Sequence, residues 1–501
     1  MKRTLAAYRT MATAFVVLCC SLLFFVPIAA GQADVTGQWQ TLPYTIPVNP
    51  IHVSLLHNGK ILAVGGSENY PPYLLAGQFR ASLVDLQAGT ATIQNVPWDM
   101  FCNQMVNLPD GRILIDGGNL QYDPFLGSPR ASAFDPATNQ YVDVQTMAHG
   151  RWYPTALVLG DGSVMTFSGL NDSNGATNTT VEIYKIGSGW SQEYSAGWIP
   201  PLYPRLNLLP NGKVFYSAPG PNSAFFDPAT KTWTLSVAHT NYGSTRTYGS
   251  SVLLPLTPQN NYKPRVMILG GGGSPSTATT EIIDLSVANP SWRTSTPMSA
   301  PRMEMNAVLL PTGKVLALGG SMFDEDASTA SLGADLFDPI TETMTPAGSG
   351  AFPRLYHSIG LLLPDATVWV AGGNPTRGNY EPHMEIYSPA YLFTKNALGQ
   401  TVPASRPTIT SAPAVIGYGG TFTVQTPDVA NISSIALMRL GSPTHSFDTD
   451  QRMIGLSFTA GSGSLSVTAP ANGNLAPPGY YMLFALTSDG VPSVASMLRI
   501  N

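Results

Sequence analysis

Five side chains, widely separated along the chain, are of types that together could hold a metal ion: Cys102, Tyr153, Tyr356, His357 and His445. Imidazole and phenolate are donors that divalent transition metals accept. The chain has three cysteines, and Cys19 and Cys20 fall in an N-terminal export-type stretch. Once that stretch is removed, Cys102 is a single leftover thiol with no internal disulfide partner, and such a thiol calls for an explanation. Taken one at a time, each residue has a plainer reading. A lone cysteine is most often a small buried hydrophobe. A tyrosine after a tryptophan is ordinarily a core aromatic, and a histidine in a β domain usually satisfies a local hydrogen bond. With seven histidines in the sequence, at 52, 57, 149, 239, 357, 383 and 445, composition alone lets any pair be ligands.

The N-terminus reads as a secretory signal over residues 1–33. Lys2, Arg3 and Arg9 precede an unbroken apolar and small-residue run from Ala14 to Phe25, and Ala29-Ala30-Gly31-Gln32-Ala33 suits a signal peptidase. A retained anchor is the rival reading, because Met11 to Ala30 nearly spans a bilayer. No later stretch is apolar and long enough to cross a membrane. The expected location is therefore secreted, extracellular or periplasmic. About 470 residues remain, enough for two or three domains. With 11% charged residues, 44% hydrophobic residues, 48 glycines and 43 prolines, the composition suits a turn-rich β protein and excludes a disordered chain. The net charge of −5 comes without a basic patch, which argues against a nucleic-acid partner. A monomer is expected.

A unit of about fifty residues recurs seven times. Its core is a tight turn, a short apolar strand and a double glycine or substitute. Examples are His57-Asn58-Gly59-Lys60 to Gly65-Gly66, Pro109-Asp110-Gly111-Arg112 to Gly117-Gly118, and Pro311-Thr312-Gly313-Lys314 to Gly319-Gly320. Asn-Gly and Asp-Gly supply the positive φ of a hairpin turn. The strand after each turn is rich in Val, Ile and Leu, as a buried inner strand requires. The period predicts an all-β fold, a seven-bladed kelch-type β-propeller over residues 34–400. From residue 401 the repeat stops. Alternating segments such as Thr421 to Val424 and Ser464 to Val467 predict one Ig-like β-sandwich over 401–501.

Tyr356 and His357 are neighbours, and neighbours on a regular strand face opposite ways. Both reach one ion only from an irregular stretch at a blade's end, near the propeller axis. Arg151-Trp152-Tyr153 occupies the corresponding place in the third repeat, which sets both tyrosines at the same end of inner strands. By the same alternation Trp152 is expected to point away from Tyr153.

Met100-Phe101-Cys102, Arg151-Trp152-Tyr153-Pro154, Arg354-Leu355-Tyr356-His357-Ser358 and Thr444-His445-Ser446-Phe447 through Arg452 together resemble the copper radical oxidases, the galactose oxidase and glyoxal oxidase relatives. The ending from Pro478 to Ser493 resembles their C-terminal early-set domain. The resemblance covers the whole mature chain. It implies one copper ion held by Tyr153, Tyr356, His357 and His445, with Tyr356 axial. It implies a thioether from Cys102 to the ring of Tyr153, which carries a tyrosyl radical, and His445 reaching from the sandwich into the propeller axis. Tyr356 then takes the substrate's proton as general base, the radical takes hydrogen from carbon, and O2 reoxidises the site to give H2O2. The substrate implied is a small aldehyde, as its hydrate, or a primary alcohol. The run Phe167 to Asn178 lacks the tryptophan that galactose oxidases stack on the thioether, and Tyr248 to Leu254 looks closer to the glyoxal oxidase branch.

Two other classes compete. A non-catalytic kelch propeller that binds extracellular carbohydrate or protein predicts a free Cys102 and no copper. A propeller hydrolase or lyase wants paired carboxylates near the axis, for which Asp116, Asp324, Glu325 and Asp326 are available, the last three reading as a solvated loop. The Asp448 to Arg452 stretch reads as a hydrogen-bonded loop that positions His445.

Overall fold

The computed structural model describes residues 32–501, so the signal segment lies almost wholly outside the described residues. Seven antiparallel sheets, one for each repeat, form the blades of a propeller. Their inner strands are His52–Leu55, Gln104–Asn107, Trp152–Val158, Arg205–Leu208, Ser250–Leu253, Met303–Leu309 and Ile359–Leu362, and every residue in them is buried. Burial falls outward: the outermost strands Thr90–Asn95 and Gln140–Asp143 are mostly exposed. That gradient explains why the strand after each turn glycine reads as a continuous apolar run while the last strand does not. The N-terminal strand Gln38–Thr45 pairs with His383–Ser388, so the first and last parts of the repeat region share the seventh blade and close the ring.

Past the propeller, a five-stranded sheet including Ile432–Arg439 and Gly479–Thr487 packs on a three-stranded sheet including Thr421–Gln425 and Ser464–Thr468. Strict alternation puts Phe422, Val424, Leu465 and Val467 inward against Leu437 and Leu483. Each such side chain contributes about 1.5–3 kcal/mol by burial.

The sandwich is keyed to the propeller by its own side chains. Arg439 donates to the Asn107 carbonyl at 2.7 Å, Arg452 to the Leu208 carbonyl at 2.8 Å, and Gln451 to the Ala307 carbonyl at 3.0 Å, one contact in each of three blades. Between these anchors a two-stranded finger, Pro443–Thr444 and Phe447–Asp448, enters the propeller and extends the first blade by pairing Thr444 with His52. Its tip, His445-Ser446, has φ of 45° and 69°, a two-residue hairpin turn of the kind normally built from Asn-Gly. Asp448 holds the base of the finger, accepting hydrogen bonds from the backbone N–H groups of Ser442, Asp450 and Gln451. The loop reading of 448–452 is what the structure has.

Candidate metal centre

One backbone device places the candidate residues. Six of the seven inner strands are entered through a residue with positive φ: Cys102 (56°), Tyr153 (69°), Tyr203 (44°), Tyr248 (51°), Glu304 (62°) and His357 (93°). Four of them stand nine residues before the turn glycines Gly111, Gly162, Gly212 and Gly313, and His357 stands nine before Ala366. Tyr248 is at the same place in the fifth blade, six before Leu254 as Glu304 is six before Leu310, and Pro50 fills the position in the first blade. For residues with a Cβ this conformation costs about 1–3 kcal/mol each. The ring is tied from blade to blade. The N–H of Tyr153 donates to the Cys102 carbonyl at 3.2 Å, that of Tyr203 to the Tyr153 carbonyl at 3.0 Å, and that of Glu304 to the Tyr248 carbonyl at 2.9 Å. Gly320 lies across from Glu304, its φ is 82°, and a Cβ there would meet the Met303 carbonyl oxygen at 2.3 Å. The repeated double glycine thus makes room for the ring residue opposite.

A buried arginine clamps four of these entrances. Arg151, Arg246, Arg302 and Arg354 each donate to a carbonyl at the Gly-Gly position, to a carbonyl at or just before the third strand, and to a buried carboxylate of that strand. The ion pairs are Arg151–Glu182 (3.0 Å), Arg246–Glu281 (2.7 Å), Arg302–Asp335 (2.8 Å) and Arg354–Glu385 (2.8 Å).

All five residues singled out in the sequence meet at one place. Cys102 Sγ lies 3.6 Å from His445 Nε2 and 3.9 Å from His357 Nε2, and the two Nε2 atoms are 2.9 Å apart. The ring of Tyr356 stacks on that of His357 at 3.9 Å, and the ring of Tyr153 lies 4.7 Å from that of His445. Asp116 is buried away from this group against Thr166, Asp324 is exposed, Glu325 and Asp326 are partly exposed, and among the described residues no carboxylate belongs to the Cys102–His357–His445 cluster. The other histidines stand outside the cluster, His52 bridging the carbonyls of Asn103 and Ser442.

Trp152 corrects the alternation argument. Instead of facing away it stacks on Tyr153, centroids 3.7 Å apart and planes at 13°, and on its other face carries Phe125 at 4.0 Å. The positive φ of Tyr153 turns that side chain out of strand alternation and back under its neighbour. The aromatic missing from 167–178 is thus supplied from the residue before the tyrosine. Tyr203 was also missed: its ring lies 4.6 Å from Tyr153 and 4.4 Å from His445, and its hydroxyl donates to the Asn103 carbonyl at 2.9 Å. The nine-residue spacing to Gly212 was the signal that marked it.

The hydrogen-bond network fixes both imidazole tautomers. Asn374 donates its amide N–H to the Asn379 carbonyl, which turns its Oδ1 toward His357 Nδ1, and Asn49 donates to the same oxygen at 3.1 Å. His357 Nδ1 therefore carries the proton. Thr444 Oγ1 donates to the Ile51 carbonyl at 2.7 Å and so accepts from His445 Nδ1 at 2.6 Å. Both Nε2 atoms are left as bare lone pairs, facing each other with no proton between them. Arg205 holds the finger tip by donating to the His445 carbonyl at 2.7 Å. Burial keeps both imidazoles, the thiol and the Tyr356 phenol uncharged. It pushes the His357 imidazole down to about 3 and that of His445 well below its ordinary value. Burial also pushes the Cys102 thiol, with help from the Asp99 charge, and the Tyr356 phenol well above theirs. Two converging neutral imidazoles with two phenols in reach are a donor set that fits a divalent copper ion, whose charge also draws a phenol toward phenolate.

Comparison with known proteins agrees. Residues 75–391 match the family model described as glyoxal oxidase N-terminus, and residues 406–500 match the galactose oxidase-like early set domain. The chain is 27% identical to an aldehyde oxidase, GLOX, of Vitis pseudoreticulata over 93% of its own length and 98% of that protein's. It is 28% identical to a galactose oxidase of Gibberella zeae, covering 82% of this chain and 62% of that one. A WSC domain-containing protein of Arthroderma benhamiae is 31% identical over 81% of this chain, which spans about half (46%) of that relative. The solved structure of a fungal alcohol oxidase of the AA5 family, in complex with copper, superposes with a TM-score of 0.80 at 26% identity, covering 93% of this chain and all of that one. A β-propeller with a donor cluster on its axis and an early-set sandwich reaching into it defines an oxidoreductase of the galactose oxidase-like class. The chain belongs to the copper radical oxidase family of glyoxal and galactose oxidases.

Proposed function

We propose that this protein is a secreted copper radical oxidase that converts a small aldehyde, as its hydrate, or a primary alcohol with O2 and releases H2O2. The observation that carries the reading is the pair of unprotonated Nε2 atoms of His357 and His445, 2.9 Å apart beside Cys102. With Tyr153 and Tyr356 they would hold one copper ion. Bound there, copper supplies a one-electron couple and polarises the substrate oxygen.

The residues supply the rest. Cys102 Sγ bonded to the Tyr153 ring gives a second one-electron centre, and forming that bond removes the thiol hydrogen and one ring hydrogen, with O2 as oxidant. The stacked Trp152 and Phe125 cover one face of that ring and keep water from it. The phenolic oxygen of Tyr356, in a half-buried position, accepts the proton of the substrate hydroxyl. Asn374 and Thr444 hold the two imidazoles in the ligating tautomer.

The test is the mass of the full chain expressed, loaded with Cu(II) in air and digested under reducing conditions. Loss of two hydrogens, with the Cys102 and Tyr153 peptides joined, is expected. A free Cys102 in copper-loaded protein would remove the radical mechanism. A chain that binds no copper would favour the propeller as a carbohydrate- or protein-binding module.

A further inference from the structure

The ring of blade entrances has seven places, six of them with positive φ, and the oxidase reading uses only part of it. Cys102, Tyr153 and His357 meet at the metal centre. Tyr203 is consumed by its bond to the Asn103 carbonyl and its packing on Tyr153 and His445. Pro50 has no polar side chain. Tyr248 and Glu304, adjacent in the fifth and sixth blades and joined by the Glu304 N–H to Tyr248 carbonyl bond, have no part in it.

Both stand beside the blade-seven residues of the centre. The ring of Tyr248 lies 5.1 Å from that of Tyr356. Its side chain is half-buried, and its hydroxyl has no hydrogen-bond partner among the described residues. Glu304 is 3% exposed, its carbonyl accepts from the Ser358 hydroxyl, and its carboxyl accepts from the Glu325 N–H at 3.2 Å and the Ser321 hydroxyl at 3.3 Å. Asp324 and Glu325 in the loop above add carboxylates to the same side. The arginines of the neighbouring entrances, Arg246, Arg302 and Arg354, are each bound to a third-strand carboxylate, and Arg205 is bound to backbone carbonyls.

We propose that Tyr248 and Glu304 form the substrate-recognition arc of this centre and select a small neutral molecule with a second hydroxyl over a carboxylate of the same size. The inference rests on the oxidase reading. A hydroxyl next to the reacting carbon finds a hydrogen-bond acceptor in the Glu304 carboxyl and a donor in the Tyr248 phenol. Burial and the neighbouring Asp324 push the Glu304 carboxyl up to about 9, so Glu304 stands there as a neutral acid, and the like charge that a carboxylate meets comes from the Asp324 and Glu325 loop, a repulsive element that discriminates between the two.

The test compares glycolaldehyde with glyoxylate, both two-carbon aldehydes, on copper-loaded protein. A kcat/KM ratio of at least about tenfold in favour of glycolaldehyde is expected, since one hydrogen bond to a carboxyl is of that worth. Tyr248→Phe and Glu304→Leu should each raise KM for glycolaldehyde more than they lower kcat. Binding without turnover gives an independent reading. Acetate and acetamide are titrated against the visible absorption of the copper, and Glu304→Gln combined with Asp324→Asn and Glu325→Gln should tighten acetate about tenfold and leave acetamide nearly unchanged. Equal use of both aldehydes, or an acetate-to-acetamide ratio unmoved by the triple substitution, overturns the arc and leaves the oxidase intact. Copper-loaded protein that oxidises neither aldehyde nor any primary alcohol overturns the oxidase reading itself.

Discussion

Blades three and seven enter the centre by the same device and deliver different chemistry. In each, an arginine clamped to a third-strand glutamate precedes a pair of ring side chains, the second with positive φ and the first stacked on it. The pairs are Trp152–Tyr153 at 3.7 Å and Tyr356–His357 at 3.9 Å. The difference is one residue. Arg151 stands two before Tyr153, whereas Arg354 stands three before His357. In blade three the first member is part of the ladder, Trp152 opposite Leu170, so it lies over its neighbour as a cover. In blade seven Tyr356 has only an isolated bridge to Asn374, so tyrosine and histidine both present donors to the centre. On the proposed function, pairing of the residue before the ring position decides whether a blade offers a lid and one candidate ligand or two candidate ligands.

The largest expected effect is on the clamps. Arg354→Met or Arg151→Met leaves a buried glutamate unpaired and should cost about 3–5 kcal/mol in denaturant unfolding. Replacing both partners of the third blade, Arg151→Met with Glu182→Leu, should restore most of the loss. If it does not, the fork to backbone carbonyls matters more than the charge pair. Of these two blades, blade seven should also make the copper-free protein acid-labile, an effect to which the buried His445 and His52 add. Burial lowers the pKa of the folded His357 to about 3 from an ordinary 6.5. Its stabilisation is complete above 6.5 and is lost as pH falls toward 3, because the unfolded chain takes up the proton first. The slope contributed is at most about 1.4 kcal/mol per pH unit. His357→Asn should flatten the stability–pH curve there, and Tyr153→Phe should not. Asn374→Leu, which frees His357 to change tautomer, should weaken copper binding about 10–100-fold in chelator competition. An affinity equal to the parent's would show that Nδ1 needs no partner.

The fold was legible because its signal is periodic: a turn glycine, an apolar strand and a double glycine recur whatever the blade's task. The five candidate residues, which the structure brings together, were legible through their types and their resemblance to a family. What stayed hidden depends on backbone sign and on long-range contact. Alternation failed at Trp152 because it assumes negative φ at Tyr153. Tyr248 and Glu304 share the spacing of Cys102 and Tyr153, but an equivalence of position across blades means little until the ring is seen to close. Asn374, one residue past Gly373, acquires its role from the amide orientation set by Asn379 and Asn49, which no local pattern encodes. Phe125 comes from a short hairpin, Asn119–Gln121 with Leu126–Gly127, whose aromatic reads as surface in one dimension.

The smallest expected effect tests the lid directly. Trp152 is sandwiched between Phe125 and Tyr153, and its indole N–H is buried without a partner. Trp152→Phe keeps two stacked faces and removes that orphaned donor, so the change in stability should be small, about 0.5–1.5 kcal/mol in either direction. If the blade-three residue is a cover and not a ligand, copper affinity should be unchanged while the ring of Tyr153 becomes more accessible, read as faster quenching of its optical or EPR signal by small reductants. Tyr356→Phe, at the same place in blade seven, should do the reverse: change the copper spectrum and leave the access of reductant to Tyr153 as it was. A loss of copper from Trp152→Phe equal to that from Tyr356→Phe would mean that the two entrances are not specialised and that ladder pairing does not separate lid from ligand.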